Sequence, residues 1–136
     1  MSIKLTEYFI SYKRAFDQFN PENIASHYKL PCIISDLNGF NSYDSLDRLV
    51  AKFTVNCKSM KDMGYCGSEF SMGEIKALGS DSVSVDIGWR VKLLTEPYDF
   101  RTLYLCRQES ESWKIFSAVV YAGCISDKEE PINSTE

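Results

Sequence analysis

Apolar residues recur at helical spacing through the first half of the chain and at every second position through most of the remainder. Leu5, Tyr8, Phe9, Tyr12, Phe16 and Phe19 fall on one face of a helix, while Lys4, Glu7, Arg14 and Asp17 fall mostly elsewhere. Burying side chains of that size is worth ~1.5–3 kcal/mol each, so this helix must dock on a large apolar surface. Asn20 as cap, Pro21 in the first helical position and Glu22 at the positive end of the dipole open a second helix. Ile24, His27 and Tyr28 share its face, and Leu30, preceding Pro31, stops it within about two turns. Cys32–Asp36 reads as a short strand and Asn38-Gly39 as a tight turn. A third helix follows, capped by Ser42 or Asp44, with Leu46, Leu49, Val50, Phe53, Cys57 and Met60 on one stripe and Gly64 as its stop.

The period then changes. Val83, Val85, Ile87, Trp89, Val91 and Leu93 alternate with Ser84, Asp86, Gly88, Arg90 and Lys92, the mark of a long half-buried strand. Further strands are expected near 66–78, 98–108 and 113–122, separated by Gly79-Ser80-Asp81, Thr95-Glu96-Pro97 and Glu109-Ser110-Glu111-Ser112. Strands in unbroken succession predict an antiparallel meander. The fold class is therefore α+β, three N-terminal helices on a mainly antiparallel sheet. In the last two strands both faces are apolar: Tyr98, Phe100, Tyr104 and Cys106 oppose Leu103 and Leu105, and Trp113, Ile115, Val119 and Tyr121 alternate with Phe116, Ala118 and Val120. Helices cover one face; a homodimer through the sheet face is expected to cover the other.

Length and composition narrow the function. At 136 residues the chain is one domain, expected over 1–125, long enough to bury a core without disulfides or metals. Four acids and one lysine between 127 and 136 account for most of the formal −4, and 126–136 reads as a polar, disordered tail. No basic stripe interleaved with aromatics exists, so no nucleic acid is expected as partner. Cys32, Cys57, Cys66, Cys106 and Cys124 show no CxxC spacing, and His27 is the sole histidine, so neither a disulfide framework nor a metal site is expected. No stretch is apolar for long enough to cross a membrane and no signal peptide opens the chain, so a reduced, cytoplasmic setting is expected. No cofactor is called for.

The order of elements, with Tyr12 and Phe16, Ile24-Ala25-Ser26-His27-Tyr28, Pro31-Cys32-Ile33-Ile34, Asp36 to Gly39, Phe53 to Gly64-Tyr65, Val83-Ser84-Val85 to Trp89, and Trp113-Lys114-Ile115, resembles the NTF2-like superfamily across residues 5–121. The Pro-Cys after the second helix is most similar to a bacterial subgroup without assigned activity. The resemblance implies a sheet curled into a cone around a cavity closed by the helices, frequent dimers through the sheet, and functions ranging from binding and scaffolding to ketosteroid isomerases, dehydratases, epoxide hydrolases and polyketide cyclases. Fold does not choose among them.

Candidate chemistry divides accordingly. Tyr12 and Asp36 resemble, in type and separation, the tyrosine and aspartate of ketosteroid isomerases; an aspartate at a cavity rim moves a proton while a buried phenol holds the oxyanion. The second carboxyl of that family is missing, for the matching region reads Leu103-Tyr104-Leu105. The plainer alternative makes Asp36 a turn residue and Tyr12 a core aromatic. His27 is either an acid or base or a buried structural histidine. Asp86, Arg90, Asp99 and Arg101 resemble an epoxide-hydrolase set, or form a surface ion-pair ladder. Tyr8, Phe16, Tyr28, Phe53, Trp89 and Tyr104, with Phe19 beside them, are the rings expected to line a pocket for a small apolar molecule, with Cys32 at its edge.

Overall fold

Residues 2–123 are described by the computed structural model; the tail expected over 126–136, and Cys124, lie outside them. Three helices, α1 (Ser2–Asp17), α2 (Pro21–Ala25) and α3 (Leu46–Asp62), accompany six strands: β1 (Tyr28–Asp36), β2 (Gly39–Tyr43), β3 (Gly67–Leu78), β4 (Ser82–Lys92), β5 (Tyr98–Glu109) and β6 (Ser112–Gly123). All six strands belong to one sheet in the order β2-β1-β6-β5-β4-β3. β3 to β6 form the expected antiparallel meander. β1 lies parallel to β6 and carries β2 as an antiparallel edge. Register shifts between Met72 and Ile75 in β3, at Tyr121 and Phe116 in β6, and between Tyr28 and Ile33 in β1 mark the bulges that bend the strands and curve the sheet around the helices.

The core follows the sequence pattern closely. α1 buries Leu5, Phe9, Tyr12 and Ala15, and α3 buries Leu49, Phe53 and Cys57. Val85, Ile87 and Trp89 of β4 face them, with Thr102, Tyr104 and Cys106 of β5 and Trp113, Ile115 and Ala118 of β6. Leu46 departs from its stripe: as the first residue of α3 it is 54% exposed, ahead of the turns that meet the sheet.

Three boundaries moved. α2 closes at Ala25, so His27 sits in a turn and Tyr28 opens β1, where it pairs with Ile115. The sequence expectation put both on a helical face; a five-residue helix has too little of its own to resist strand pairing. β2 was not expected at all, because Gly39–Tyr43 carries no apolar alternation and only Tyr43 is buried. The cap of α3 is therefore Ser45, whose hydroxyl accepts from the Arg48 amide at 3.2 Å, rather than Ser42 or Asp44. Gly64 does end the region, at φ +78, where an added Cβ would lie 2.5 Å from the Leu94 Cβ.

Candidate functional site

The strongest concentration of polar atoms in the core is a group of phenols. Tyr12 projects from the middle of α1, and its hydroxyl lies 2.6 Å from that of Tyr28 at the start of β1. On β4 and β5, Trp89 donates its indole N–H to the Tyr104 hydroxyl at 3.0 Å. Tyr12 joins the two pairs: its ring centroid stands 6.0 Å from those of Tyr28 and Tyr104 and 6.3 Å from Trp89. Phe16 bridges onward to Phe53, and Phe53 returns to Tyr28 at 5.4 Å. The rings expected to line a hollow thus pack on one another, mostly edge to face or tilted, the arrangements that favour the ring quadrupoles.

Burial raises the pKa of Tyr8, Tyr12, Tyr28 and Tyr104 well above the ordinary phenol value, because a phenolate there would lose its water. Each phenol is a neutral hydrogen-bond donor at any working pH. The hydrogens are not all used. The Tyr12–Tyr28 pair consumes one of its two, and Tyr104, which accepts from Trp89, has the Tyr12 and Thr102 hydroxyls near its own, neither of them in full hydrogen-bonding geometry. Thr102 adds to the surplus: its hydroxyl is close enough to Tyr104 to favour the ionised phenol, yet its buried Oγ1 makes no hydrogen bond. Sequence reasoning missed Thr102, since one hydroxyl in a strand of large apolar residues reads as a β-former.

Asp36 stands elsewhere. At the end of β1 it accepts the Asn38 amide at 2.9 Å, a turn contact, and the Lys52 ammonium of α3 at 2.9 Å. The pair is mostly shielded, with side chains 18% and 10% exposed. Neither a hydrogen bond nor a ring contact links this carboxylate to Tyr12. The one phenol whose pKa it raises is Tyr43, and for that group burial weighs more.

His27 is held from three sides. Its Nδ1–H donates to the Asn23 carbonyl at 2.8 Å, and Nε2 lies 3.0 Å from the Ser11 hydroxyl, which donates to it when the ring is neutral. The Tyr8 hydroxyl donates to its backbone carbonyl. Burial lowers its pKa. Both ring nitrogens are committed, and these bonds tie the turn at His27 to α1 and α2.

Asp86, Arg90, Asp99 and Arg101 lie on the outer face of the sheet as two cross-strand pairs, Arg90–Asp99 at 2.9 Å and Arg101–Asp86 at 3.3 Å. Exposed pairs of this kind contribute ~0–1 kcal/mol, as the ladder reading requires. Cys32 is buried beside the cluster, and burial pushes its thiol up to about 11, the reverse of an activated nucleophile. No group of His, Cys, Asp and Glu capable of holding a metal occurs among the described residues.

Helices closing one side of a curved six-stranded sheet, with polar groups from α1, β1 and β5 meeting inside, define the NTF2-like class. Solved structures agree. A protein of unknown function from Shewanella oneidensis MR-1, described as NTF-2 like, superposes with a TM-score of 0.72 at 16% identity over 88% of this chain and 97% of its own. A ketosteroid isomerase-like protein from Erwinia carotovora atroseptica gives 0.67 at 14% identity over 87% and 92%. Aln2 from a Streptomyces species gives 0.68 at 9% identity over 89% of each. These identities establish the fold alone. A family model covers residues 3–123, and the chain belongs to that family, NTF2-like protein (DUF6841). No curated protein matches the sequence.

Proposed function

We propose that this protein binds a small, mainly apolar molecule at the Tyr12–Tyr28–Tyr104 cluster, and that the ligand brings a hydrogen-bond acceptor without a donor, such as a ketone. One observation carries this reading: the buried cluster leaves O–H donors unused, with Thr102 unpaired beside it. A buried donor left without a partner costs about 1–3 kcal/mol, so an acceptor brought in by a ligand recovers that cost. The ligand spreads rings that now touch, each contact worth ~0.5–1.5 kcal/mol, and must replace them with a flat apolar body.

The test is a fluorescence titration with 1-tetralone and with tetralin, which has the same skeleton without the carbonyl. One recovered hydrogen bond, worth about 1.4 kcal/mol, predicts about tenfold tighter binding of the ketone. Tyr104→Phe and Tyr12→Phe should each reduce the preference. Equal affinities for the two probes would refute the reading.

Acid–base catalysis by Asp36 with Tyr12, and with His27 as a further acid or base, draws less support. The carboxylate is already paired with Lys52 and the imidazole is fully hydrogen-bonded. As part of the same proposal, the outer sheet face joins two copies of the chain. Half-buried Leu103, Leu105 and Val119 adjoin Ile33, which is 38% exposed, on neighbouring strands. Light scattering showing a monomer at micromolar concentration would remove the dimer. The unpaired state of Cys32, Cys57, Cys66 and Cys106 supports the cytoplasmic setting, and no described helix is long and apolar enough to cross a membrane.

A further inference from the structure

We propose a second binding site, for a small organic anion, in the open-sided recess between the C-terminal end of α1 and the start of β3. The recess offers about 460 Å³, stays open to solvent, and shares no lining residue with the phenol cluster. Lys13 and Asp17 of α1, Phe19, Tyr65, Cys66, Gly67, Ser68 and Lys92 surround it.

Its unused ammonium donors point to an anion. Asp17 is the single carboxylate of the lining, and its oxygens are occupied. Oδ1 takes the Tyr65 hydroxyl at 2.5 Å and the Ser68 hydroxyl at 3.4 Å, and Oδ2 takes Lys13 at 2.5 Å. Lys92 pairs outward with Glu69 at 2.8 Å. An ammonium group has three N–H donors, so Lys13 and Lys92 each keep donors after these contacts. Each ammonium group is matched by one carboxylate, Lys13 by Asp17 and Lys92 by Glu69, so what the recess offers an anion is their spare N–H donors rather than a net positive charge.

Its shape points to a flat organic body. Phe19 occupies the left-handed position that closes α1, at φ +51, with its amide bonded to Phe16 and the Asn20 amide to Ala15. Glycine usually fills that position, and a bulky residue there carries backbone strain. The ring is kept in place by Tyr65, at 5.6 Å edge to face, and by the Lys61 ammonium 4.9 Å above it. The result is an apolar wall beside the two lysines. At Gly67, φ +133, no atom lies within 4 Å of where a Cβ would stand, so the backbone is open for close approach. An aromatic carboxylate fits: its charge meets Lys13 and Lys92 and its ring meets Phe19.

Cys66, the exposed thiol among the described cysteines, reports on occupancy. In a Cys124→Ser background the rate of alkylation by neutral iodoacetamide would be measured against benzoate, benzamidine and benzyl alcohol at matched ionic strength. Benzoate should slow labelling saturably, and the other two should not. Lys13→Gln and Lys92→Gln should each weaken benzoate protection about tenfold, the loss of one charge-assisted hydrogen bond, while Lys76→Gln on the exposed face leaves it intact. No slowing by benzoate, equal slowing by benzyl alcohol, or protection that survives both lysine substitutions would overturn the proposal. Because the two sites have no residue in common, tetralone binding at the phenols can fail while this site stands, and the reverse.

Discussion

Removing one hydroxyl from the core should cost more than removing two. The Tyr12 and Tyr28 oxygens are 2.6 Å apart in residues only 3% and 7% exposed, so water offers neither a substitute partner. Tyr12→Phe strands the Tyr28 hydroxyl, and Tyr28→Phe strands that of Tyr12. An unsatisfied buried polar group costs about 1–3 kcal/mol, and each single variant should lose that much. The double variant removes both partners and leaves apolar edges in contact, so it should cost no more than about one single variant. The resulting coupling is about 1–3 kcal/mol, larger than the ~0.3–0.5 kcal/mol scatter seen for independent sites. Urea unfolding of the four proteins measures it through midpoints at constant slope. In thermal unfolding each kcal/mol corresponds to about 3–5 °C for a chain of this length. Additive losses within about 0.5 kcal/mol would refute the reasoning, since they would mean that the two phenols find separate partners and that the cluster is wet.

Two further outcomes follow from the same geometry. Burial lowers the pKa of His27, the one histidine in the chain, so the unfolded chain binds its proton more readily than the folded one. The stabilisation is therefore complete above the unfolded value of about 6.5 and is lost as pH falls toward the folded value, at about 1.4 kcal/mol per unit of depression. Urea midpoints between about pH 8 and pH 5.5 should show this decline, and His27→Gln should flatten it; an unchanged slope in the variant would count against the burial argument. Asp36→Asn keeps an acceptor for the Asn38 amide but leaves the shielded Lys52 ammonium unpaired, and should cost about 1–3 kcal/mol in the same assay. A loss below about 0.5 kcal/mol would reopen the case for Asp36 as a functional carboxylate rather than a structural one.

Each class of feature was legible to the extent that its determinants are local. The stripes of α1 and α3, the alternation in β4 and the stops at Gly64 and Gly79 are periodic or conformational facts about neighbouring residues, and they placed β3, β4, β5 and β6 nearly to the residue. The ion-pair ladder was legible for the same reason, because alternation alone sends Asp86 and Arg90 to the face opposite Trp89. β2 was not legible: its five residues gain their strand conformation from pairing with β1, a contact with no trace in their own pattern. Tyr28 was assigned to the wrong element because its partner Ile115 is far along the chain.

The site divides along the same line. Residue types and periodicity were enough to establish an α+β chain with an aromatic interior, and to nominate the phenols and the carboxylate. Only the folded structure decided that Tyr12 meets Tyr28 and Tyr104 while Asp36 turns to Lys52, because hydrogen bonding depends on ångström-scale distances between side chains from different elements. The recess beside Lys13 and Lys92 was invisible for that reason too. Its walls come from the end of α1, the loop into β3 and the end of β4, and nothing but the packing of α1 on β3 brings them within reach of one another.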